Sequence, residues 1–303
     1  MDTKSIKTIK NKGFTLIELL ITMAITGIVM GAVGVIHSSQ QKSYRIQEDI
    51  AAMQQNIRAA MYIMEREIRL AGYDPTTSGN FGITDICYRD KDYVLNLNGY
   101  STIEFTADDN LNGSTEATET ISFSLYDPEG DGKLELARRV SGVRSAIAEN
   151  IYALGFAFAF DADGDGALDT YEIDDPPPPA PPLQPNEKKR IIWAIDSGNN
   201  NWLDLNLDGI NKEGVIDGVI DEKDDKNDNG IIDGQALADG KVNISAIRAV
   251  RIWLLARSDE IDNKIINKGP YVVGDKVIKP LGDDRNYRYE LLSTVVKCRN
   301  MGN

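Results

Sequence analysis

Hydrophobic residues follow three rhythms along this chain. From Phe14 to Ile36 they are almost continuous, and the only formal charge in that run is Glu18. A bilayer needs ~20 consecutive apolar residues to be spanned by a helix, so this run is long enough. From Ser38 the pattern becomes amphipathic. Ile46, Ile50, Met53, Ile57, Met61, Met64 and Ile68 are spaced by threes and fours, which places them on one face of a helix. Ala51, Ala52, Ala59 and Ala60 favour the same conformation. Gly72 and Pro75 then end it, so the spacing predicts one helix running to about residue 71.

Beyond Pro75 the period shortens to two. Tyr93–Leu97 and Ser101–Phe105 flank an Asn-Gly turn and predict a hairpin. Thr120–Tyr126 and Lys133–Arg139 alternate around the turn sequence DPEGDG. Ile151–Phe160 reads as a well-buried strand, and Arg190–Ile195, Ala246–Ala256 and Tyr287–Cys298 as further strands. Asp174–Pro185 holds seven of the eleven prolines and reads as an extended spacer. Asp196–Gly240 is crowded with Asp, Asn and Gly. The expected fold class is α+β: a long N-terminal helix whose second half packs on an antiparallel β-sheet. The expected divisions are 1–13, 14–36, 37–72 and a globular part 73–303, with a Pro-rich and Asp-rich insertion at about 161–240. An insertion of that length inside a compact domain needs something to hold it.

Charge narrows the choice of partners. The chain carries −14, and losing residues 1–13, with four lysines and one aspartate, would take it to −17. Such acidity argues against nucleic acid as a partner and suits cation binding or plain solubility. Lys4, Lys7, Lys10 and Lys12 precede the apolar run, so the N-terminus is expected to stay cytoplasmic and all that follows Ile36 to lie outside. In that compartment Cys87 and Cys298, the two cysteines, are expected to form a disulfide.

The carboxylates suggest a cofactor. Asp161–Glu172, DADGDGALDTYE, fits the calcium-loop pattern D-x-D-x-D-G-x5-E. Asp161, Asp163, Asp165, Asp169 and Glu172 offer carboxylate oxygens, Ala167 a backbone carbonyl, and Gly166 the sharp turn. Related spacings occur at Asp204, Asn206 and Asp208, and at Asp225, Asn227, Asn229, Ile231 (through its carbonyl) and Asp233. Asp127, Glu129, Asp131 and Gly132 share the outline, but Arg138 stands at the last ligand position and a hairpin turn is the better reading. The residues before Asp161 look like a strand, so the expectation is a calcium loop outside an EF-hand. A catalytic constellation is missing from the sequence: the single histidine, His37, sits at the end of the apolar run, and there is no G-x-S-x-G, P-loop or dinucleotide fingerprint. The chain therefore reads as a non-enzyme.

The leader and the start of the apolar run, KGFTLIELLI, resemble the N-terminal segment of type IV prepilins and of type II secretion pseudopilins. In that resemblance Gly13 precedes the cut, Phe14 becomes the methylated N-terminus, and Glu18 pairs with the new amine. An ordinary signal peptide would place its cleavage site after the apolar run. The stretches Asn56–Pro75 and Thr120–Arg138 are similar to PilW-type minor pilins, whereas residues 174–240 have no counterpart in that likeness. The resemblance implies a minor pilin that takes part in assembly or initiation of a type IV pilus, in a minor-pilin complex at its tip. It implies as partners a prepilin peptidase, other minor pilins and the major pilin through the N-terminal helix, and the bacterial inner membrane before assembly. The globular part would then be periplasmic and later at the cell surface. Alternative readings are a J-type pseudopilin of type II secretion, or a calcium-dependent tip adhesin carried on a pilin helix.

Overall fold

The computed structural model describes residues 14–86, 101–130, 132–172, 189–195, 202–205, 242–262, 264–274 and 276–301. The chain divides into two units, one ending at Glu48 and one beginning at Asp49. The boundary falls inside α1, Leu16–Ile68.

In the first unit α1 presents an apolar surface with nothing over it. Leu16, Ile17, Ile28, Met30, Val35 and Ile36 are all more than half exposed. By length and composition this part of the helix can cross a membrane.

In the second unit the amphipathic stripe is covered as its spacing demands. Met53, Ile57, Ala60, Met61, Met64 and Ile68 are buried. The helix stops at Ile68, slightly before the expected residue 71. The last turns tighten, with the Leu70, Ala71 and Tyr73 amides donating to carbonyls three residues back. Gly72 then adopts φ +74° and gives its amide to the Thr106 carbonyl, which turns the chain toward the sheet.

Two antiparallel sheets, where the sequence suggested one, pack on this stripe. The first has the order β1-β2-β3-β4-β5, from Ile83–Asp85, Ile103–Thr106, Thr120–Tyr126, Glu135–Val140 and Val143–Ala148. In this sheet β2 lies between β1 and β3, and the hairpin expected with Tyr93–Leu97 has its first strand outside the described residues. The β5 strand escaped sequence reading because it is a polar edge, with Val143 67% exposed.

The second sheet is built on β6, Ile151–Phe160. Next come β7 (Thr170–Glu172), β8 (Lys189–Ile191), β9 (Ala194–Ile195), β10 (Trp202–Leu205), β11 (Val242–Asn243) and β12 (Ile247–Arg257). A hairpin of β13 (Tyr271–Val273) and β14 (Lys276–Ile278) precedes β15 (Tyr289–Lys297). The sheet order is β11-β10-β9-β6-β12-β15, while β7 pairs with β8. The expected strand Arg190–Ile195 is thus two short strands in different sheets. The insertion is anchored by β9, β10 and β11, which extend the sheet from the free edge of β6.

The β6 sequence IYALGFAFAF serves two cores. Leu154, Phe156, Phe158 and Phe160 face the helix together with Val250, Ile252 and Leu254. Ala153, Ala157 and Ala159 face a second core with Trp193, Trp253, Val273 and Val277. The small residues are needed there because the β13–β14 hairpin lies against the strand. A Cβ on Gly155 would lie 2.4 Å from the Gly274 amide nitrogen.

One ion pair ties helix to sheet. Arg138 Nε lies 2.7 Å from Glu67 Oε2, with both side chains partly exposed. That contact explains why Arg138 stands where a calcium loop would want a glutamate.

Candidate functional site

Two places on the chain carry the chemistry expected from sequence. The first is the start of α1. Gly13 lies outside the described residues. Phe14 follows it, 87% exposed. The Thr15 amide donates to Glu18 Oε2 at 2.9 Å, and the Thr15 hydroxyl donates to the same oxygen at 2.8 Å. The Glu18 amide returns a bond of 3.3 Å to Thr15 Oγ1. This reciprocal Thr-x-x-Glu arrangement satisfies helix amides that have no partner one turn back. It also holds the Glu18 carboxylate beside the first turn, within reach of whatever N-terminus precedes it.

The second is the turn after β6. Asp161 ends the strand buried, and its two carboxylate oxygens accept the amides of Gly164 at 2.7 Å and Gly166 at 3.1 Å. Asp163 Oδ1 accepts the Asp165 amide, and Asp165 Oδ1 accepts the Ala167 amide. Gly164 and Gly166 take φ +74° and +85°, conformations that a side chain would strain. Asp169 folds back to accept the Ala162 amide at 3.1 Å. Carboxylate oxygens of Asp161, Asp163 and Asp165 come within 4.8 Å of one another. Arg248 Nε stands 3.8 Å from Asp161 Oδ2 and offsets part of this negative charge. Glu172 belongs to β7, not to an exiting helix, as the strand-like approach to the loop suggested.

Comparison with known proteins adds the family. The prokaryotic N-terminal methylation motif matches residues 9–34. The profile of Type IV Pilus-assembly protein W matches residues 212–300. Over these two segments the chain is similar to PilW-type minor pilins. The match begins inside the Asp-rich insertion and extends through β15, away from the stretches 56–75 and 120–138 that suggested the likeness. It also shows that residues 212–240 do have a counterpart in the family. A type IV-like pilin, TTHA1219, from Thermus thermophilus is 9% identical, with a TM-score of 0.34, over 82% of this chain and 98% of that one. At that score nothing further is drawn from it. No curated protein matches.

Other expected sites of the chain are less visible. Asp204 lies in β10, where the backbone alone is described. Asn206, Asp208, Asp225, Asn227, Asn229, Ile231 and Asp233 lie outside the described residues, as does Cys87. Cys298 is 3% exposed, and burial pushes its thiol up to about 12. At neutral pH that sulfur is protonated and a poor nucleophile.

The chain repeats its aspartate-anchored turn at places that sequence reading undervalued. In the β3–β4 hairpin Asp127 accepts the amides of Gly130 and Gly132 at 2.7 and 2.8 Å. After α1, Asp74 accepts the Gly79 amide at 2.7 Å and the hydroxyls of Thr76 and Ser78. Between β2 and β3, Asp108 accepts the amides of Asn112 and Gly113, each at 3.1 Å. The signal for this last turn was in the sequence: Asp108, Asn110, Asn112, Gly113 and Glu119 keep the D-x-N-x-N-G-x5-E spacing.

Proposed function

We propose that this minor pilin is cut between Gly13 and Phe14 by a prepilin peptidase and enters a minor-pilin complex at the pilus tip through the first half of α1. The observation that carries this is the apolar helix surface from Leu16 to Ile36, which has no covering within its own unit. A membrane covers such a surface before assembly, and neighbouring pilin helices cover it afterwards. In both settings Glu18 needs a positive partner, because a lone carboxylate in hydrocarbon costs several kcal/mol. A new amine on Phe14, held near Glu18 by the Thr15 cap, supplies one.

Single-pass anchoring with the globular part in the periplasm is the orientation that the basic residues before the apolar run favour, and display on the pilus is what assembly through α1 would bring. Mass spectrometry of the mature chain is expected to find an N-methylated Phe14. A chain that begins at Met1, or that is cut after Ile36, would remove the basis of the proposal. Cross-linking in cells is expected to recover other minor pilins. Recovery of secretion-system components instead would move the chain to the pseudopilins.

A second reading concerns calcium. The convergence of Asp161, Asp163 and Asp165 supports a calcium ion held by these residues with the Ala167 carbonyl, Asp169 and Glu172. Bound there, the ion would fix the exit of β6, from which the insertion departs. Calorimetry of the full chain in detergent would show heat on addition of millimolar calcium, and Asp163→Ala with Asp165→Ala would abolish this site's share.

A further inference from the structure

We propose that the outer edge of β15 is a docking site for an extended, acidic strand of a neighbouring pilus subunit, added to the sheet by backbone hydrogen bonds. β15 is the last strand of its sheet, and its residues Tyr289–Lys297 pair with β12 without a register shift. The direction of its backbone groups follows from the two ends of that ladder. The Cys298 amide donates to the Arg248 carbonyl at 2.9 Å, and the Ser258 amide donates to the Arg288 carbonyl at 2.8 Å. Both pairs continue the register of the ladder, so the even-numbered residues of β15 turn their N–H and C=O toward β12. Tyr289, Leu291, Ser293, Val295 and Lys297 turn theirs outward, where they meet no backbone partner among the described residues.

What points to a partner strand is that this edge stays open where the others are blunted. A row of outward amides and carbonyls is a template for another chain, and short strands, irregular register and charge are the usual protections. β1 has three residues and a break in its register, and β11 has two residues. β5 has six residues and carries Arg144. β15 runs for about 30 Å. It contains no proline, and its two charges, Glu290 and Lys297, stand near its ends. Leu291 and Val295 are 37% and 51% exposed, on the face shared by the residues whose backbone groups turn outward.

Charge selects the partner. The chain carries −14, yet exposed Lys297 and Arg299 close one end of this edge. At the other end Tyr289 lines an open groove of about 560 Å³ with Ile265, Lys268, Tyr271 and Arg288. Asp262 pairs with Arg288 at 2.7 Å, and Lys268 is exposed. A strand with apolar residues in its middle and acidic residues near both ends matches this edge. A second copy of the chain, paired antiparallel through the same edge, would instead set Lys297 and Arg299 against Lys268 and Arg288. On its inner face β15 gives Leu292 and Val296 to the core that covers α1. The edge thus belongs to the same body as the covered half of the helix, and the inference rests on reading α1 as the helix that packs among other pilins.

Photo-crosslinking of the full chain in piliated cells tests this, with benzoylphenylalanine placed at Leu291, Ser293 or Val295, all exposed. Each position is expected to join the chain to one other subunit that carries an N-terminal methylation motif. Mass spectrometry of the adducts is expected to find a single acidic segment, whose linked residue moves in steps of two as the probe moves. Ser293→Pro removes an outward N–H and no bond to β12, and is expected to abolish the adduct formed at Val295. Lys297→Glu with Arg299→Glu, at exposed positions, is expected to do the same, and keeps the test open should Ser293→Pro fail to fold. No adduct at any of the three positions overturns the proposal. So do adducts scattered over several segments, adducts to β15 of a second copy, and adducts that survive the two charge reversals. The role in the pilus is read separately, from methylation of Phe14. A methylated Phe14 without adducts strikes the edge alone, and an unprocessed Phe14 strikes the pilin reading.

Discussion

Gly155 shows how much a single position can decide. It lies midway along β6 with the backbone of Val273 and Gly274 against it, and an added Cβ would fall 2.6 Å from the Val273 carbonyl carbon. Gly155→Ala must therefore push the β13–β14 hairpin away. The expected loss is about 1–3 kcal/mol in denaturant unfolding, the usual cost of overpacking. A variant as stable as the parent would show that the hairpin moves without penalty. Asp74 makes a different prediction. Burial raises its carboxyl, but hydrogen bonds from Thr76, Gly79 and Ser78 outweigh that and bring it to about 2. An unfolded aspartate titrates near ~3.9. The folded value is the lower one, so this stabilisation is present above about pH 4 and is lost as pH falls through 2. Asp74→Ala is expected to be less stable than the parent at pH 6 and to converge with it near pH 2 in acid unfolding monitored by circular dichroism. Parallel curves from pH 6 to 2 would show that the Asp74 turn contributes nothing. Neither Gly155 nor Asp74 was singled out in the sequence, because both depend on groups that fold against them.

Among elements, α1 is one helix with two kinds of surface. Met64 is 0% exposed, inside the core shared with both sheets, and Ile28 is 75% exposed. Met64→Ala is expected to cost about 2–5 kcal/mol in unfolding of the globular part. Ile28→Ala is expected to change the same measurement by no more than about 0.5 kcal/mol. Comparable effects at the two positions would contradict this division of the helix. Both surfaces were legible from spacing alone: a continuous apolar run in one half, steps of three and four in the other. The strands β3, β6, β12 and β15 were legible too, because their alternation or length is strong. The short strands β10 and β11 were not, and β8 and β9 were read as one strand, since segments of two to four residues carry no period. β9, β10 and β11 become strands by pairing onto the edge that β6 leaves open, and β8 by pairing with β7.

For the molecule as a whole, the cysteines offer a test of folding across the globular unit. We propose that buried Cys298 pairs with Cys87 after export. Closing so long a loop would stabilise the fold by on the order of 5 kcal/mol in the chain-entropy model. Alkylation of the exported protein after denaturation, without reductant, is expected to label neither cysteine; two free thiols would refute the pairing. At this scale the sequence by itself determined that the chain has an apolar anchoring helix behind a processing motif, an α+β body and loops spaced for calcium. Those features are local: a period of residues, or a fixed spacing of oxygen ligands, is set by neighbours in the chain. Only the tertiary structure decided that the stripe of α1 is covered by two sheets, that the insertion is anchored on the edge of β6, and that Arg248 stands beside Asp161. It also decided that β15 lies at the edge of its sheet. The reason is physical. A pattern states that a face must be buried, but what covers it, and which charges meet there, is settled between residues far apart in the chain.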